Sequence, residues 1–558
     1  MPPDSTVGAP PPPPPRLAEM FPTLAPAQIA RLRSAGHERV IGAGELVFDQ
    51  GEVAKLFVVL DGSIEVVSPS PAGERPLSIH EAGGFAGEIT ALSGTSSLLR
   101  GRARTAARVL ELDRAALRVV IAADADLSEL LMRAFILRRT RLISQDQGDV
   151  VLLGSRHSAG TLRVKEFLTR NGHPHTTIDV EHDPAAQALL DEFHVDVADV
   201  PVVVCRGVRV LKNPSNEELA ACLGYTSALD AAQVRELVVI GAGPAGLAAA
   251  VYGASEGLDT FVLESIAPGG QAGSSSKIEN YLGFPTGISG QALAARAFVQ
   301  AEKFGTDIAI ARTASRLVCD RRPYRIEVGG EAVRARAIVI ATGARYHKPA
   351  LDSLARFEGL GIYYCATTVE ARMCGGDTAV VVGGGNSAGQ AAIFLAHTAA
   401  KVYILVRGKG LSDTMSRYLI RRIEDTPNIE LRVETEVVDL AGADQLERVT
   451  WLDKRTQART THPICHVFMM TGASPNTEWL AGCVALDDKG FVKTGPDLTA
   501  AELAHANWPL PRAPYAFETS LPGVFAVGDV RANSVKRVAS AVGEGSICIQ
   551  LVHKILTE

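Results

Sequence analysis

The sequence predicts a multidomain α/β protein: an N-terminal β-roll with helices, then a compact α/β unit, then a larger α/β region that uses one strand–turn–helix unit twice. Three observations predict it. At 558 residues the chain exceeds what one hydrophobic core holds, about 100 to 200 residues per domain, and calls for three or four domains. Short alternating apolar runs broken by glycine occupy about residues 17 to 120, whereas from Val150 apolar runs alternate with helical periodicity. The glycine-punctuated segment at 236–265 returns at 377–410.

Composition narrows the partners. Hydrophobic content of 46%, charged content of 21% and a net charge of -6 leave no basic excess for nucleic acid or an anionic membrane surface. Small molecules and proteins are the expected partners. No run of about 18 apolar residues is present, and "MPPDSTVGAPPPPPPRLAEM" has neither a basic n-region nor an apolar h-region, so the expected location is the cytoplasm. The cysteines, at 205, 222, 319, 365, 374, 465, 483 and 548, form no C-x-x-C pair; they predict neither a disulfide framework nor a metal site, and most read as buried small hydrophobes.

Residues 1–16, with Pro10 to Pro15 consecutive, read as a stiff solvated tail. Residues 17–147 form the next domain. Its segment "GELVFDQGEVAKLFVVLDGSIEVV" has the spacing of short antiparallel strands with tight turns. Helical periodicity follows, and the stretch after about residue 125 has two readings: a dimerisation helix, or a helix packed on its own barrel. At 148–225 the order becomes strand "DVVLLGS", helix "AGTLRVKEFLTRNG", strand "TTIDV", helix "DPAAQALLDEFHV", strand "VPVVVCRG". A short link near 226–233 leads into the repeated unit.

In "ELVVIGAGPAGLAAAVYGASEGLDTFVLES" each glycine has a task. Gly241 makes the turn after an apolar strand, Gly243 lets backbone approach a pyrophosphate, and Gly246 permits close helix packing; Glu264, ending the next strand, accepts from ribose hydroxyls. Strand, helix and carboxylate fall in register, so this is an adenine-dinucleotide site. In the second copy Gly383, Gly385 and Ala388 repeat the turn, but Val406 and Arg407 replace the carboxylate. With nothing to repel a 2'-phosphate and a guanidinium to hold it, NADPH is expected in preference to NADH.

Further marks occur at "PGGQAGSSSKIENYLGFP" (268–285), "IVIATGARYHKP" (338–349), "MTGASPNTEWL" (470–480) and "LPGVFAVGDVRANSVKRVASAVGEGS" (521–546). In this order the region 234–558 resembles the low-molecular-weight thioredoxin reductase family of flavoproteins. The resemblance implies a homodimer with FAD on 234–346 and 473–558, held by Gly241, Gly243, Pro244, Ala245, Gly246, Glu264, Gly270, Gln271, Asn280, Ala341, Thr342, Gly343, Gly528, Asp529, Val538 and Ala539. It places NADPH on an inserted domain, 347–472, at Gly383, Gly385, Asn386, Ser387 and Arg407. The family rotates the two domains, presenting nicotinamide and disulfide to the flavin in turn.

One family feature is missing. Where the family carries C-A-T-C, this chain has Cys365-Ala366-Thr367-Thr368, so the flavin-proximal sulfur is a hydroxyl. Were 366–373 helical, Cys374 would lie roughly 13 Å from Cys365, beyond the disulfide limit of about 7 Å. Cys365 therefore reads either as a catalytic single thiol with lowered pKa or as a small buried residue beside the flavin. The unit at 148–225 resembles a thioredoxin or glutaredoxin fold, in which the proline matching Pro201 is cis; its redox turn, Arg156 to Thr161, has no cysteine. There His157 and Ser158 read as an anion contact or, more simply, as helix capping.

The first domain resembles the cyclic-nucleotide-binding β-roll. Its F-G-E-[LI] cassette appears as Phe85-Ala86-Gly87-Glu88-Ile89, with Glu88 placed for a ribose hydroxyl, but the arginine for the cyclic phosphate aligns near Ser97. The nearest replacements are Arg100 and Arg102, with Arg104 beyond. A lost bidentate arginine removes about 2 to 3 kcal/mol of affinity, which disfavours simple cyclic AMP. A cyclic mononucleotide, a cyclic dinucleotide and an empty structural roll all stand as readings. No helix-turn-helix follows, which argues against a transcription factor.

The sequence thus predicts an FAD-containing, NADPH-oxidising oxidoreductase of thioredoxin reductase type without the dithiol, fused to a degenerate thioredoxin-like unit and a nucleotide sensor. Its electron acceptor is open. The rivals are a ligand- and redox-responsive signalling protein of negligible turnover, a flavin reductase of ferredoxin-NADP reductase type, and a disulfide reductase pairing Cys365 with another chain's cysteine.

Overall fold

The structure is a computed structural model. It describes residues 15–558 except 71–72, 88–89, 94–95, 145–149, 156–157, 182–198, 206–208, 226–228, 276–277, 279–280, 348, 350, 352, 358–359, 365, 367–369, 372–373, 444, 472 and 481. The expectations for Pro10 to Pro14, Glu88, Arg156, His157, the helix at 183–195, Asn280, Cys365 and Thr368 lie outside the described residues. Two compact units result: one runs to Val151 and takes in His173–Thr176 and Val204–Val210, and the other comprises Leu152–Gly172, Thr177–Val203 and Leu211–Glu558.

The first unit opens with α1 (Pro15–Met20). Pro15 and Arg16, expected in the proline tail, instead start this helix, because the first helical position does not need the N–H that proline lacks. The roll is β1 (His37–Ile41), β2 (Leu46–Phe48), β3 (Leu56–Asp61), β4 (Ser63–Ser70), β5 (Gly73–Glu81), β6 (Phe85–Ala86), β7 (Arg100–Ala103) and β8 (Ala107–Leu112). They form two four-stranded sheets, ordered β1-β8-β3-β6 and β2-β7-β4-β5, whose inward side chains, among them Ile41, Val47, Val59, Ile64, Val66 and Val109, make one core. Gly62 turns β3 into β4 at φ +78, and a Cβ there would meet Ala106 O at 2.3 Å; glycine is required twice over. Two helices follow, α2 (Arg114–Ala123) and α3 (Ala125–Ser144). Leu127, Leu131, Ala134 and Phe135 of α3 are fully buried, and Phe135 meets Phe85 of the roll edge-on at 6.2 Å. Of the two readings for this helix, packing on its own roll is observed.

Residues 150–223 form a four-stranded sheet, β10-β9-β11-β12, from β9 (Val150–Gly154), β10 (His175–Asp179), β11 (Val202–Cys205) and β12 (Arg209–Lys212). Helix α4 (Ala159–Arg170) begins on Ser158, whose hydroxyl accepts from Thr161 N, and α5 (Asn216–Leu223) begins on Ser215 with a full capping box. Val200–Pro201 is cis, as expected from the resemblance, and a Cβ at Gly160 would lie 2.7 Å from Pro201 Cδ. Ser158 is a helix cap.

The remaining chain builds two lobes on the same plan. The first sheet runs β15-β14-β13-β18-β17-β16: β13 (Val234–Ile240), β14 (Thr260–Glu264), β15 (Asp307–Ile310), β16 (Ala314–Val318), β17 (Tyr324–Val328) and β18 (Glu331–Ile340). Strands β13, β14, β15 and β18 pair in parallel, as does the late strand at Val524–Ala526 with β18, while β16 and β17 return antiparallel. Helices α6 (Pro244–Ser255) and α7 (Gly290–Lys303) belong to this lobe, as does α10 (Val538–Thr557) near the end of the chain. An antiparallel ribbon of β19 (Ala344–Tyr346) and Ala473–Pro475 carries the chain into and out of the second lobe. That lobe's parallel sheet is β20-β27-β21-β22-β23, from β20 (Ile362–Tyr363), β21 (Thr378–Val382), β22 (Lys401–Leu405), β23 (Ile429–Arg432) and β27 (His466–Met469). A three-stranded sheet, β24 (Thr435–Ala441), β25 (Arg448–Asp453) and β26 (Arg459–His462), and helices α8 (Asn386–Leu395) and α9 (Arg417–Glu424) complete it.

One expectation needs correction. Cys319 and Cys483 are joined in a disulfide across a sequence separation of 164, which no local spacing signals. Ala366 is not helical and Glu370 and Ala371 are; Cys365 and the rest of 366–373 lie outside the described residues, and with them the expected Cys365–Cys374 spacing. Cys374 is fully buried, and burial, followed by Asp377 and Glu370, pushes its thiol up to about 12.

Candidate functional site

Both repeated turns close by the same bond: Gly241 N donates to Leu263 O at 2.7 Å, and Gly383 N to Leu405 O at 3.0 Å. Each turn glycine has a positive φ, +100 and +142, and a Cβ would strike Ala341 O at 2.4 Å or Met470 O at 2.1 Å. A Cβ at Gly246 would lie 1.8 Å from Gly241 O, so that glycine sets how closely α6 approaches the strand. Gly243 is different. Its Cβ would find only Gly270 Cα, at 3.9 Å, and in the second copy a Cβ at Gly385 would find only Thr414 O, at 3.9 Å. Gly243 and Gly385 are also the N-caps of α6 and α8, with no side chain on the first free N–H groups. Open space in front of uncapped amides is a place for phosphate oxygens.

Around the first turn, Pro244 and Ala245 begin α6, and Gly270, at φ +54, packs on Gly243. Glu264 is 6% exposed; it accepts from Ala242 N at 2.7 Å, Ile266 N at 2.8 Å and Ala267 N at 3.1 Å. A carboxylate has about four acceptor sites, so one remains for a hydroxyl. Gln271 Nε2 donates to Ala344 O. Ala341 continues β18, with its N bonded to Ile240 O at 2.8 Å, and Gly343 turns at φ +64. Thr342 and Asn476 bond reciprocally: Thr342 Oγ1 to Asn476 O and Asn476 Nδ2 to Thr342 O, both 2.8 Å. Gly528 and Asp529 follow the strand at Val524–Ala526, where burial raises the Asp529 carboxyl above its usual range. Val538 and Ala539 open α10, whose N-cap Arg537 makes no side-chain bond to the helix, giving a second uncapped N-terminus in this lobe.

In the second lobe Asn386 Oδ1 accepts from Ser416 N at 2.8 Å, and Ser387 is exposed. Val406 is buried and Arg407 exposed just past β22, at the place Glu264 holds in the first lobe.

Three supports have roles that only the fold reveals. Glu544 of α10 accepts from Gly528 N at 2.7 Å and pairs with Arg531 at 2.5 Å, holding the turn before Asp529. Asn476 braces the Ala341-Thr342-Gly343 turn from the far end of the ribbon. The end of α4 reaches the Gly270 region: Arg170 Nη2 donates to Gly270 O at 2.9 Å, Asn171 Nδ2 to Ile266 O at 3.1 Å, and Gln291 Nε2 to Thr169 O at 2.5 Å.

In the N-terminal unit a cavity with about 570 Å³ of atom-free space, mouth included, opens inside the roll. Phe48, Val66, Leu77 and Leu99 line it, with Gly87, Ser97 and His80, and α3 adds Arg138, Arg141 and Leu142. Gly87 is thus at the cavity as expected, but Arg100 and Arg102 are not among its lining. They alternate along β7 with buried Gly101 and Ala103, and their guanidiniums pair outward, Arg100 with Asp49 and Glu74 at 2.6 Å each and Arg102 with Glu74 at 3.2 Å. The period of 2 makes this unavoidable. Arg138, 8% exposed, donates to Met20 O at 2.9 Å, Phe85 O at 3.1 Å and Gly87 O at 2.8 Å. Burial, then the Arg138 charge, pushes His80 down to about 3, so it is neutral at ordinary pH. The signal for Arg138 was its place three residues beyond Phe135, on the stripe of α3 that Leu142 continues.

Comparison with known proteins now decides the family. The profile for pyridine nucleotide-disulphide oxidoreductases matches residues 235–545, more than half of the chain. The chain belongs to that family. Within the family it is similar to the thioredoxin reductase of Mycoplasmopsis pulmonis, 30% identical over 328 residues that are 58% of this chain and 97% of that protein, and to that of Bacillus subtilis, also 30% identical over 328 residues, with 96% covered. A solved Lactococcus lactis thioredoxin reductase (FR conformation) matches with TM-score 0.52 at 26% identity, over 58% of this chain and 99% of that one. The T. acidophilum enzyme matches with TM-score 0.51 at 26%, over 57% and 98%. Residues 38–124 match the cyclic nucleotide-binding domain. This family member is therefore a thioredoxin reductase-like flavoprotein oxidoreductase with FAD and NADPH as cofactors and a cyclic nucleotide-binding domain at its N-terminus. The open cradles at Gly243 and Gly385 suit the pyrophosphates of these cofactors. Among the described residues no helix is long and apolar enough to cross a membrane, and no group of acidic, histidine and cysteine side chains is arranged to hold a metal.

Proposed function

We propose that this chain oxidises NADPH through FAD without a C-x-x-C dithiol, and that a nucleotide second messenger in the N-terminal cavity regulates it. The observation that carries the reading is a complete pair of dinucleotide cradles in a chain whose residue 368 is threonine. When bound, the two cofactors supply hydride transfer. The protein would bind and orient them: the amides opening α6 and α10 would hold FAD, Glu264 would accept from its ribose and Asp529 from its ribityl hydroxyls, and Arg407 would hold the 2'-phosphate that sets NADPH apart. The match to thioredoxin reductases supports a thioredoxin-like protein as acceptor; without a dithiol in the chain, electrons would leave the flavin directly, to a disulfide, quinone or iron–sulfur protein. The family resemblance supports a homodimer.

For the effector, the cavity supports a nucleotide whose phosphate is met by Arg138 and Arg141 of α3, beside Gly87, rather than by Arg100 and Arg102. Glu88 retains its proposed role at the ribose.

Anaerobic titration of the purified protein with NADPH, followed by addition of acceptors, tests this reading with and without cyclic mononucleotides and dinucleotides. The flavin absorbance bleaches within seconds, an acceptor restores it, and one nucleotide class changes the rate. Flavin that stays oxidised under every condition rejects the enzyme in favour of a non-turning sensor. Cys365→Ala separates the two thiol readings: unchanged turnover removes the single-thiol role.

A further inference from the structure

Cys319 and Cys483, with Cα atoms 6.0 Å apart, form a disulfide that the dinucleotide sites do not use. Cys319 directly follows β16, the edge strand of the first sheet, and Cys483 closes the turn after the 3-10 segment Glu478–Leu480, its N bonded to Leu480 O at 2.9 Å. Both cysteines are partly exposed. The loop they close contains the whole second lobe.

The segment just before Cys483 braces the crossing between the lobes. Asn476 holds Thr342 by the two reciprocal bonds and donates its own N to Gly343 O at 3.1 Å, while Glu478 pairs with Arg345, the middle residue of β19, at 2.5 Å. Trp479 and Leu480 plug into the lobe's core. Residues 476–480 therefore connect the ribbon and the Thr342 turn to the disulfide. Hydrogen bonds hold one end of this brace, and a covalent bond holds the other.

We propose that Cys319–Cys483 is an exchangeable disulfide, a modification site for dithiols, and that its redox state sets how firmly the crossing is anchored. A thiolate of the dithiol attacks one of the two sulfurs, forming a mixed disulfide and releasing the other cysteine as thiolate. The second sulfur of the dithiol then displaces the first cysteine. Two electrons and two protons pass from the dithiol, which ends as its own disulfide, and Cys319 and Cys483 end as thiols. Partial exposure at an edge strand gives the attacking thiolate access, and the buried Trp479 and Leu480 keep the brace folded once the covalent tie is gone. This inference rests on the two-lobe arrangement and not on NADPH turnover.

The test uses the full chain as purified. Free thiols are blocked, the folded protein is treated with dithiothreitol, new thiols are labelled and mapped, and amide hydrogen exchange is followed at 342–346 and 473–483. Both cysteines become labelled without denaturant, and exchange at these two segments rises at least about fivefold while the core strands Val234–Ile240 and Glu331–Ile340 are unchanged. Cys319→Ser gives the same exchange without reductant, and if that variant does not fold, the reduced native chain still decides. Labelling that appears only in denaturant, or exchange that does not change on reduction, overturns the proposal. Neither outcome depends on whether the flavin accepts hydride.

Discussion

At the scale of single residues, three glycines in one turn do separate work, and only space distinguishes them. Gly241 and Gly246 are excluded from carrying a Cβ by backbone at 2.4 and 1.8 Å, whereas Gly243 faces open space. Gly246→Ala should therefore cost on the order of 3 kcal/mol of stability, seen as a lower unfolding midpoint of the lobe whether or not FAD is present. Gly243→Ala should leave the midpoint of the FAD-free protein unchanged and abolish FAD retention, read as the loss of visible absorbance on gel filtration. Arg407→Ala should reduce the preference for NADPH over NADH by about tenfold in kcat/KM, about 1.4 kcal/mol, because it removes one charged contact to a phosphate that only NADPH carries. The motif glycines and Arg407 were legible in the sequence because their tasks follow from spacing. Asn476 was not, because the backbone it braces lies 134 positions away in the chain.

At the scale of elements, period decides what a strand or helix can present. Strand β7 alternates, so Arg100 and Arg102 point away from the cavity together, and the arginines that line it come instead from a helix. Strand β5 delivers His80 to the interior, 5% exposed, with Ser78 Oγ at 3.0 Å as its partner. Its folded pKa lies below the unfolded value of about 6.5, so the unfolded chain binds the extra proton between about 3 and 6.5. Stability is full above pH 6.5 and falls as pH drops through that window, by up to about 1.4 kcal/mol per pH unit. Chemical denaturation of the N-terminal unit at pH 7.0, 6.0 and 5.0 should show this slope, and His80→Gln should flatten it. Strand and helix types were readable from periodicity; where each helix begins depended on caps such as Ser158 and Ser215, which the sequence marks only once the start is known.

At the scale of the whole chain, the second lobe is an insertion hung on a ribbon. Tyr346 and Ala473 face each other across that ribbon, so the chain can be rejoined there by a two-residue Asn-Gly turn without moving either end. A variant lacking 347–472 should fold, retain FAD and show no flavin bleaching by NADPH; failure to retain FAD would mean that the second lobe supports the first cradle.

From the sequence come the change from short glycine-broken strands to α/β periodicity, both glycine turns, and the presence of threonine at 368 and arginine at 407. These are local properties, set by residues within about 30 positions of one another. Tertiary structure alone decided the Cys319–Cys483 bond, the brace at Asn476 and the arrival of Arg138 and Arg141 at the cavity. Each joins residues that the chain separates by more than 40 positions, and no periodicity or spacing reports a contact formed only when separate elements pack.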